Sequence, residues 1–165
     1  MSDALTKVFV RNVIFGVEDS LVSTVGLLAG IASTGIVPRT LLMTGVIYIA
    51  VEALSMAVGS YLSEESVSEL ETGTGILSHA SIGALVMFAS FVIAGFVPLV
   101  PYLLLPPATA LMASVVLSLA TLFALGFVHG RMSQSKPWTR ALRMALLGGA
   151  AIALGIVVAR LFGVS

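Results

Sequence analysis

Long uninterrupted runs of apolar residues constrain this chain more than any other feature. Between Thr72 and Gly130 there is no Asp, Glu, Lys or Arg, and similar runs lie on either side. Of the 165 residues, 58% are hydrophobic and 10% are charged, against roughly 45–50% apolar and about 25% charged residues in soluble domains. A helix needs about 20 mostly apolar residues to cross a bilayer. The chain is therefore predicted to be an integral membrane protein.

Five segments are long and apolar enough to cross the membrane. They are residues 13–36, 41–62, 80–97, 106–129 and 141–162. The stretch "PLVPYLLLPP" separates the third from the fourth, because each proline removes a backbone donor and restricts the residue before it. The runs lack the alternation that barrel strands need. We predict an all-α fold of five transmembrane helices, forming one transmembrane domain over residues 1–165.

The distribution of Lys and Arg predicts the orientation, because these residues concentrate in short cytoplasmic connections. One side of the predicted topology holds Lys7, Arg11, Arg131, Lys136, Arg140 and Arg143. The other side holds Arg39 and Arg160. The N-terminus is therefore predicted to be cytoplasmic.

Charge and cysteine content exclude several other classes of protein. The net charge is zero, which gives no electrostatic support for nucleic-acid binding. The chain has no Cys, so disulfides, thiolate metal sites and thiol nucleophiles are excluded. The first residues show no small-residue cleavage site after a short apolar core, and no removable signal peptide is expected.

Two adjacent carboxylates, Glu18 and Asp19, interrupt the first apolar segment in "IFGVEDSLVSTVGLLAGIAST". At 1.5 Å per residue, Asp19 lies roughly 9 Å inside the cytoplasmic end of that span. An acidic group at membrane depth costs about 2.5–3.5 kcal/mol and usually faces the helix bundle or a watery path. The alternative is an interfacial position, or pairing with Arg11 two turns earlier.

Small residues share the face of the first helix that carries Asp19. Gly26 and Gly30 on this face form the GxxxG pattern of closely paired membrane helices. Asp19 is therefore expected to border a contact between helices rather than open lipid.

The second span repeats this theme in "AVEALSMAVGSYLS". Glu52, Met56 and Gly59 follow one another at spacings of four and three, which places them on one helix face. Glu52 falls midway along its helix, where an unpaired charge is most expensive. A thioether beside a carboxylate favours transition metals such as ferrous iron over hard cations. Met56 is also compatible with a simple packing role.

The stretch "RNVIFGVEDSLVSTVGLLAGIAS" resembles the first helix of the vacuolar iron transporter (VIT/CCC1) family. The resemblance continues in "ALSMAVGSYLS", in "FASFVIAGFVPLVPYLL" and in "LFALGFVHGRMSQSKPWTRALRMALLGGAAIAL", in order over almost the whole chain. It implies a transporter rather than an enzyme, with no permanently bound cofactor. The implied activity is export of Fe²⁺ or Mn²⁺ from the cytosol by a homodimer, in exchange for protons.

The resemblance also implies roles for individual residues. The family's first-helix Asp and the Met of its Ser-Met pair line a metal path at the dimer interface, and these correspond to Asp19 and Met56. Glu52 is expected to be a second metal carboxylate or a proton-coupling group, and Glu18 to stand at the entrance. The Gly26 and Gly30 stripe is then predicted to pack near the two-fold axis.

The chain departs from the family pattern between its second and third helices. Better-known eukaryotic members insert a long Glu-rich extension there, whereas this chain has only "EESVSELETGTGILSHAS". Four carboxylates remain in it: Glu64, Glu65, Glu69 and Glu71. Either they form a solvated helix end, or they are a small mouth that collects cations. The compact length suggests a prokaryotic cell membrane.

Two other functions remain compatible with these residues. The first is a membrane structural or interaction protein, in which the acidic residues pair with Arg11 or Arg39. The second is a proton-coupled transporter of another solute, for which Met56 would be dispensable. The sequence does not fix the metal preference, because several divalent ions accept a carboxylate with a thioether nearby.

Overall fold

The computed structural model describes residues 3–72, 77–133 and 135–162. Five α-helices make up this part of the chain: α1 (Asp3–Ala32), α2 (Pro38–Thr72), α3 (Leu77–Leu104), α4 (Pro107–Met132) and α5 (Pro137–Phe162). Each is long and apolar enough to cross a membrane. The predicted all-α fold of five spanning helices is confirmed.

Helix α1 lies at the centre of the bundle and contacts the other four helices. It runs parallel to α3 and α5. Gly16, in the first half of α1, lies against Met87, in the first half of α3, and Gly26, in the second half of α1, lies against Ala151, in the second half of α5. It runs antiparallel to α2, because Asn12 meets Ser60. Leu21 and Val25 of α1 are fully buried.

The helices extend beyond the apolar segments on the side of the N-terminus. Helix α1 begins at Asp3 rather than near 13, and α2 continues to Thr72 rather than ending near 62. Asn12, in the extra part of α1, accepts a buried hydrogen bond at Oδ1 from Ser60 Oγ, near the end of the apolar segment of α2 (2.8 Å). The apolar run gives the length of helix embedded in lipid. The helices extend beyond this length because polar contacts between them stabilise the additional turns.

Helix α3 continues through Pro98 and Pro101 to Leu104, so the prediction that it ends near 97 is wrong. Prolines are tolerated in membrane helices where neighbouring helices supply hydroxyl groups. Here Pro98 is buried, and Ser114 Oγ of α4 donates to its carbonyl oxygen (2.6 Å). The proline-containing end of α3 is thereby joined to α4, and the break before α4 shortens to Leu105 and Pro106.

The glycine stripe of α1 packs against α5 of the same chain. A Cβ at Gly30 would lie 2.7 Å from the carbonyl oxygen of Gly155, and one at Gly155 would overlap the carbonyl oxygen of Gly26. Small residues are required wherever two backbones approach this closely. A close helix contact was correctly predicted, and α5 of the same chain supplies it. Gly26 and Gly30 also line a groove between α2 and α5, so their place near a two-fold axis stays a prediction.

Candidate metal-transport site

The antiparallel pairing of α1 and α2 brings Asp19 and Glu52 together inside the membrane-spanning region. The two carboxylates are close enough to interact electrostatically, and both residues are partly buried. Within the described part of the chain neither has an ion-pair partner. Two carboxylates that share such a site repel each other. The arrangement therefore favours a bound cation or a shared proton between them.

Tyr48 and Ser23 complete this cluster. Tyr48 lies one turn before Glu52 on α2, and its hydroxyl interacts with Ser23, Glu52 and Asp19. Ser23 Oγ donates to the carbonyl oxygen of Asp19 (2.6 Å). The hydroxyl groups thus add hydrogen-bonding capacity beside the carboxylates. The i, i+4 spacing of Tyr48 and Glu52 was the available sequence signal, but it does not reveal that α1 faces this side of α2.

Met56 lies one turn beyond Glu52 on α2 and is partly buried. Tyr48, Glu52 and Met56 therefore form one continuous row along α2, at successive spacings of four. A Cβ at Gly59, on the same face, would meet no atom within 4 Å, so nothing in the described chain packs closely against this position.

Glu18 shares a cavity of about 260 Å³ with Asp19 but also faces a second environment. It lines a cavity of about 300 Å³ together with His129, Arg140 and Arg143, and Arg143 interacts with it electrostatically. Glu18 thus lies near the α4–α5 connection, while Asp19 faces α2. The sequence placed the two carboxylates side by side, but adjacent residues on a helix point in directions about 100° apart.

Arg11 pairs with Glu64 rather than with Glu18. Its Nη2 atom lies 2.6 Å from the Glu64 carboxylate, in an ion pair between α1 and α2. The alternative in which Arg11 neutralises the carboxylates within the first span is therefore wrong.

The remaining carboxylates of the predicted mouth are spread along the end of α2. Glu65 is partly buried and Glu69 is exposed, while the side chain of Glu71 lies outside the described residues. No group of three or more His, Asp or Glu able to hold a metal converges within the described ranges. Because Glu64 is paired with Arg11, its charge is already balanced within the chain.

A known protein family matches the part of the chain that forms these helices. The model of the VIT family matches residues 10–76 and 69–160, which together span nearly all five helices. This chain belongs to the VIT family.

The curated relatives of this VIT-family chain include vacuolar iron transporter 1 of Arabidopsis thaliana, which is 26% identical over 92% of this chain and 85% of its own length. Vacuolar iron transporter 1 of Eucalyptus grandis and vacuolar iron transporter 2 of Oryza sativa subsp. japonica are also 26% identical, each over 92% of this chain. Membership of a transporter family shows that the chain is not an enzyme.

This VIT-family chain is shorter than its alignments with these relatives. Each of these three alignments spans 212 positions, more than the 165 residues present here. The two segments matched by the family model overlap at residues 69–76, which include the last turn of α2. The absence of an extension after α2 stays a prediction.

Proposed function

We propose that this protein exports Fe²⁺ or Mn²⁺ from the cytosol as a homodimer, in exchange for protons. The observation that carries the proposal is the pair Asp19 and Glu52, which interact inside the spanning region without a cationic partner among the described residues. A site of this kind binds a divalent cation in one state and protons in another, because either relieves the repulsion between the carboxylates. The names of the relatives, which are iron transporters, support metal as the cargo.

Each predicted site residue has a role in this scheme. Asp19 and Glu52 exchange metal for protons, and Met56 adds a soft ligand that favours transition metals over Ca²⁺ or Mg²⁺. The residues proposed for the entrance or for proton coupling are Glu18, Glu64, Glu65, Glu69 and Glu71. Among these, Glu64 would become available to a cation only when Arg11 moves away.

A second copy of the chain would complete the metal site. One chain offers two carboxylates and one thioether, fewer ligands than the four that Zn²⁺ takes or the six that octahedral ions take. A groove of about 680 Å³ runs between α2 and α5, with α1 as its floor. Its lining residues include Val22 and Leu27 of α1, Tyr48 of α2 and Leu154 of α5. An isologous dimer across this groove would bring the two α1 helices together beside Asp19.

The excess of Lys and Arg on the side of the N-terminus supports a cytoplasmic N-terminus. In that orientation, the ends of α1 and α2 that carry Arg11 and Glu64 face the cytosol. Export then runs from this end, past Asp19 and Glu52, to the opposite side. A prokaryotic cell membrane remains the predicted location.

Transport in vesicles tests the function directly. Purified protein is reconstituted into sealed proteoliposomes containing a pH-sensitive dye, and uptake of Fe²⁺ and Mn²⁺ is followed anaerobically with and without an imposed proton gradient. We expect metal entry together with proton movement in the opposite direction. Absence of flux for both metals, with folded protein in tight vesicles, would contradict metal transport and favour an interaction protein.

Variants on α2 assign the roles. Glu52→Gln should abolish metal flux, whereas Ser66→Ala, a change at an exposed position of the same helix, should retain it. Met56→Leu should reduce Fe²⁺ flux, with Met43→Leu as the control, since Met43 is exposed. Unchanged flux in Met56→Leu would remove the thioether from the metal path.

Asp19→Asn is expected to abolish flux while leaving the oligomeric state unchanged. The dimer is tested separately, because the chain contains no Cys. A single cysteine at Leu27, in the groove, should be joined to its partner by a short bis-maleimide. A cysteine at Leu85, which is 69% exposed on α3, should not. Equal cross-linking at both positions would contradict a dimer across this groove.

A further inference from the structure

A polar cavity lies where α1, α4 and α5 meet, and neither Asp19 nor Glu52 lines it. Its volume is about 300 Å³, and it is lined by Glu18, His129, Arg140, Arg143, Met144 and Leu147. A second cavity of about 500 Å³ along α1 shares Glu18 and His129 and is walled by Val10, Ile14 and Phe15, among others. A charged pocket therefore adjoins an apolar groove.

His129 and Arg140 are hydrogen-bonded to each other in this pocket. Arg140 Nη1 lies 2.7 Å from His129 Nε2. A guanidinium can only donate, so Nε2 accepts and the imidazole carries its proton on Nδ1. The Nδ1 atom is buried and has no hydrogen-bond partner among the described residues. His129 therefore lines the pocket with its Nε2 bonded to Arg140 and its Nδ1–H turned away from the accessible space.

The charges of the pocket favour an anion. Arg140 and Arg143 contribute two positive charges, and their spacing of three places both on one face of α5. Glu18 contributes one negative charge and interacts with Arg143. The wall therefore keeps a net positive charge, which disfavours a second metal ion. Guanidinium groups match phosphate oxygens in both charge and geometry.

We infer that this cavity binds a phosphate group, held by Arg140 and Arg143. The cavity lies near the start of α5, at Pro137, where an apolar helix enters the membrane. Basic pockets between membrane helices bind anionic lipid headgroups, and the apolar groove beside Phe15 would accept an acyl chain. A free phosphate ion has the same chemistry and would occupy only the polar part.

Ligand-dependent thermal unfolding tests this site without metal or transport. Protein in detergent, freed of anionic lipid, is titrated with short-chain phosphatidylglycerol, with phosphatidylcholine of the same chain length, or with inorganic phosphate. Binding to the folded state raises the unfolding temperature in proportion to the logarithm of ligand concentration. A rise with phosphatidylglycerol alone identifies a lipid headgroup. A rise with inorganic phosphate identifies the free ion, and no rise with either overturns the proposal.

Charge variants locate the effect. Arg143→Gln should lower, by about tenfold, the affinity for whichever ligand raises the unfolding temperature, which is the loss expected for a charged hydrogen bond. Glu18→Gln should strengthen binding, because it removes the opposing charge, and a folding defect would not produce this gain. Weaker binding by Glu18→Gln would contradict the site.

Arg131→Gln is the matched control. Arg131 is exposed, follows His129 by two residues, stacks over Phe127 (5.3 Å to the ring centroid) and does not line the cavity. It should retain the wild-type response. An equal loss of affinity in Arg131→Gln and Arg143→Gln would show that the ligand responds to general surface charge, and it would overturn the assignment to this cavity.

Discussion

The close contact between α1 and α5 predicts opposite effects of the same substitution at two glycines of one helix. At Gly155, an added methyl group would overlap the carbonyl oxygen of Gly26 and lie 3.0 Å from its carbonyl carbon. Both contacts are with backbone, so no rotation of a side chain can relieve them. At Gly149, an added methyl group would meet no atom within 4 Å.

The magnitudes follow from these surroundings. Replacing Gly by Ala in a helix interior raises the free energy of unfolding by roughly 0.5–1 kcal/mol. Gly149→Ala should show this full gain in stability. Overpacking costs about 1–3 kcal/mol, and occasionally more, so Gly155→Ala should be destabilised by about 1–2 kcal/mol even after the same gain. For a chain of this size, 1 kcal/mol corresponds to roughly 2–4 °C in unfolding temperature. The two variants should therefore differ by several degrees, in opposite directions from the wild type.

Thermal unfolding in detergent, followed by circular dichroism, measures the difference. The two variants add the same methyl group to the same helix, so Gly149→Ala controls for helix propensity and for general effects of the detergent. If Gly155→Ala unfolds at or above the temperature of Gly149→Ala, the backbone contact between α1 and α5 is not formed as described.

Two further predictions concern the end of the bundle where α1 and α2 extend beyond their apolar segments. Ser60→Ala should destabilise the protein by about 1–3 kcal/mol, because Asn12 Oδ1 loses its buried donor. Ser66→Ala, at an exposed serine of the same helix, should change stability little, and equal losses in chemical unfolding would contradict this explanation. Arg11→Gln should cost only about 0.2–1 kcal/mol and less at high salt, as expected for a largely exposed pair. A double-mutant cycle with Glu64→Gln measures it, and a salt-independent coupling would refute the assignment.

The connection between α2 and α3 is where the family resemblance implies a Glu-rich extension that this chain is predicted to lack. The carboxylates that remain there include Glu64, which is already paired with Arg11. Metal capture is therefore expected to depend on Asp19 and Glu52 rather than on an acidic platform outside the membrane.

Hydropathy alone determined the number and type of the helices. Burying an apolar segment of about 20 residues in lipid is favourable wherever that segment occurs, so the five spans are local properties of the chain. The membrane depth of Asp19 and Glu52 follows from the same counting. The small residues on the same face of α1 also predicted that Asp19 would border a contact between helices rather than lipid.

The tertiary structure decided which helix each face contacts. Small residues at Gly26 and Gly30 predict a close neighbour but do not identify it, because α5 and a second chain offer the same chemistry to the stripe. Likewise, Arg11 had several acidic residues within reach along the sequence, and only the antiparallel pairing of α1 with α2 selected Glu64. The separation of Glu18 from Asp19 has the same origin, since two adjacent residues on one helix meet different neighbours once the bundle has formed. Helix formation in a membrane is local, whereas the pairing of helices depends on contacts between residues far apart in the chain.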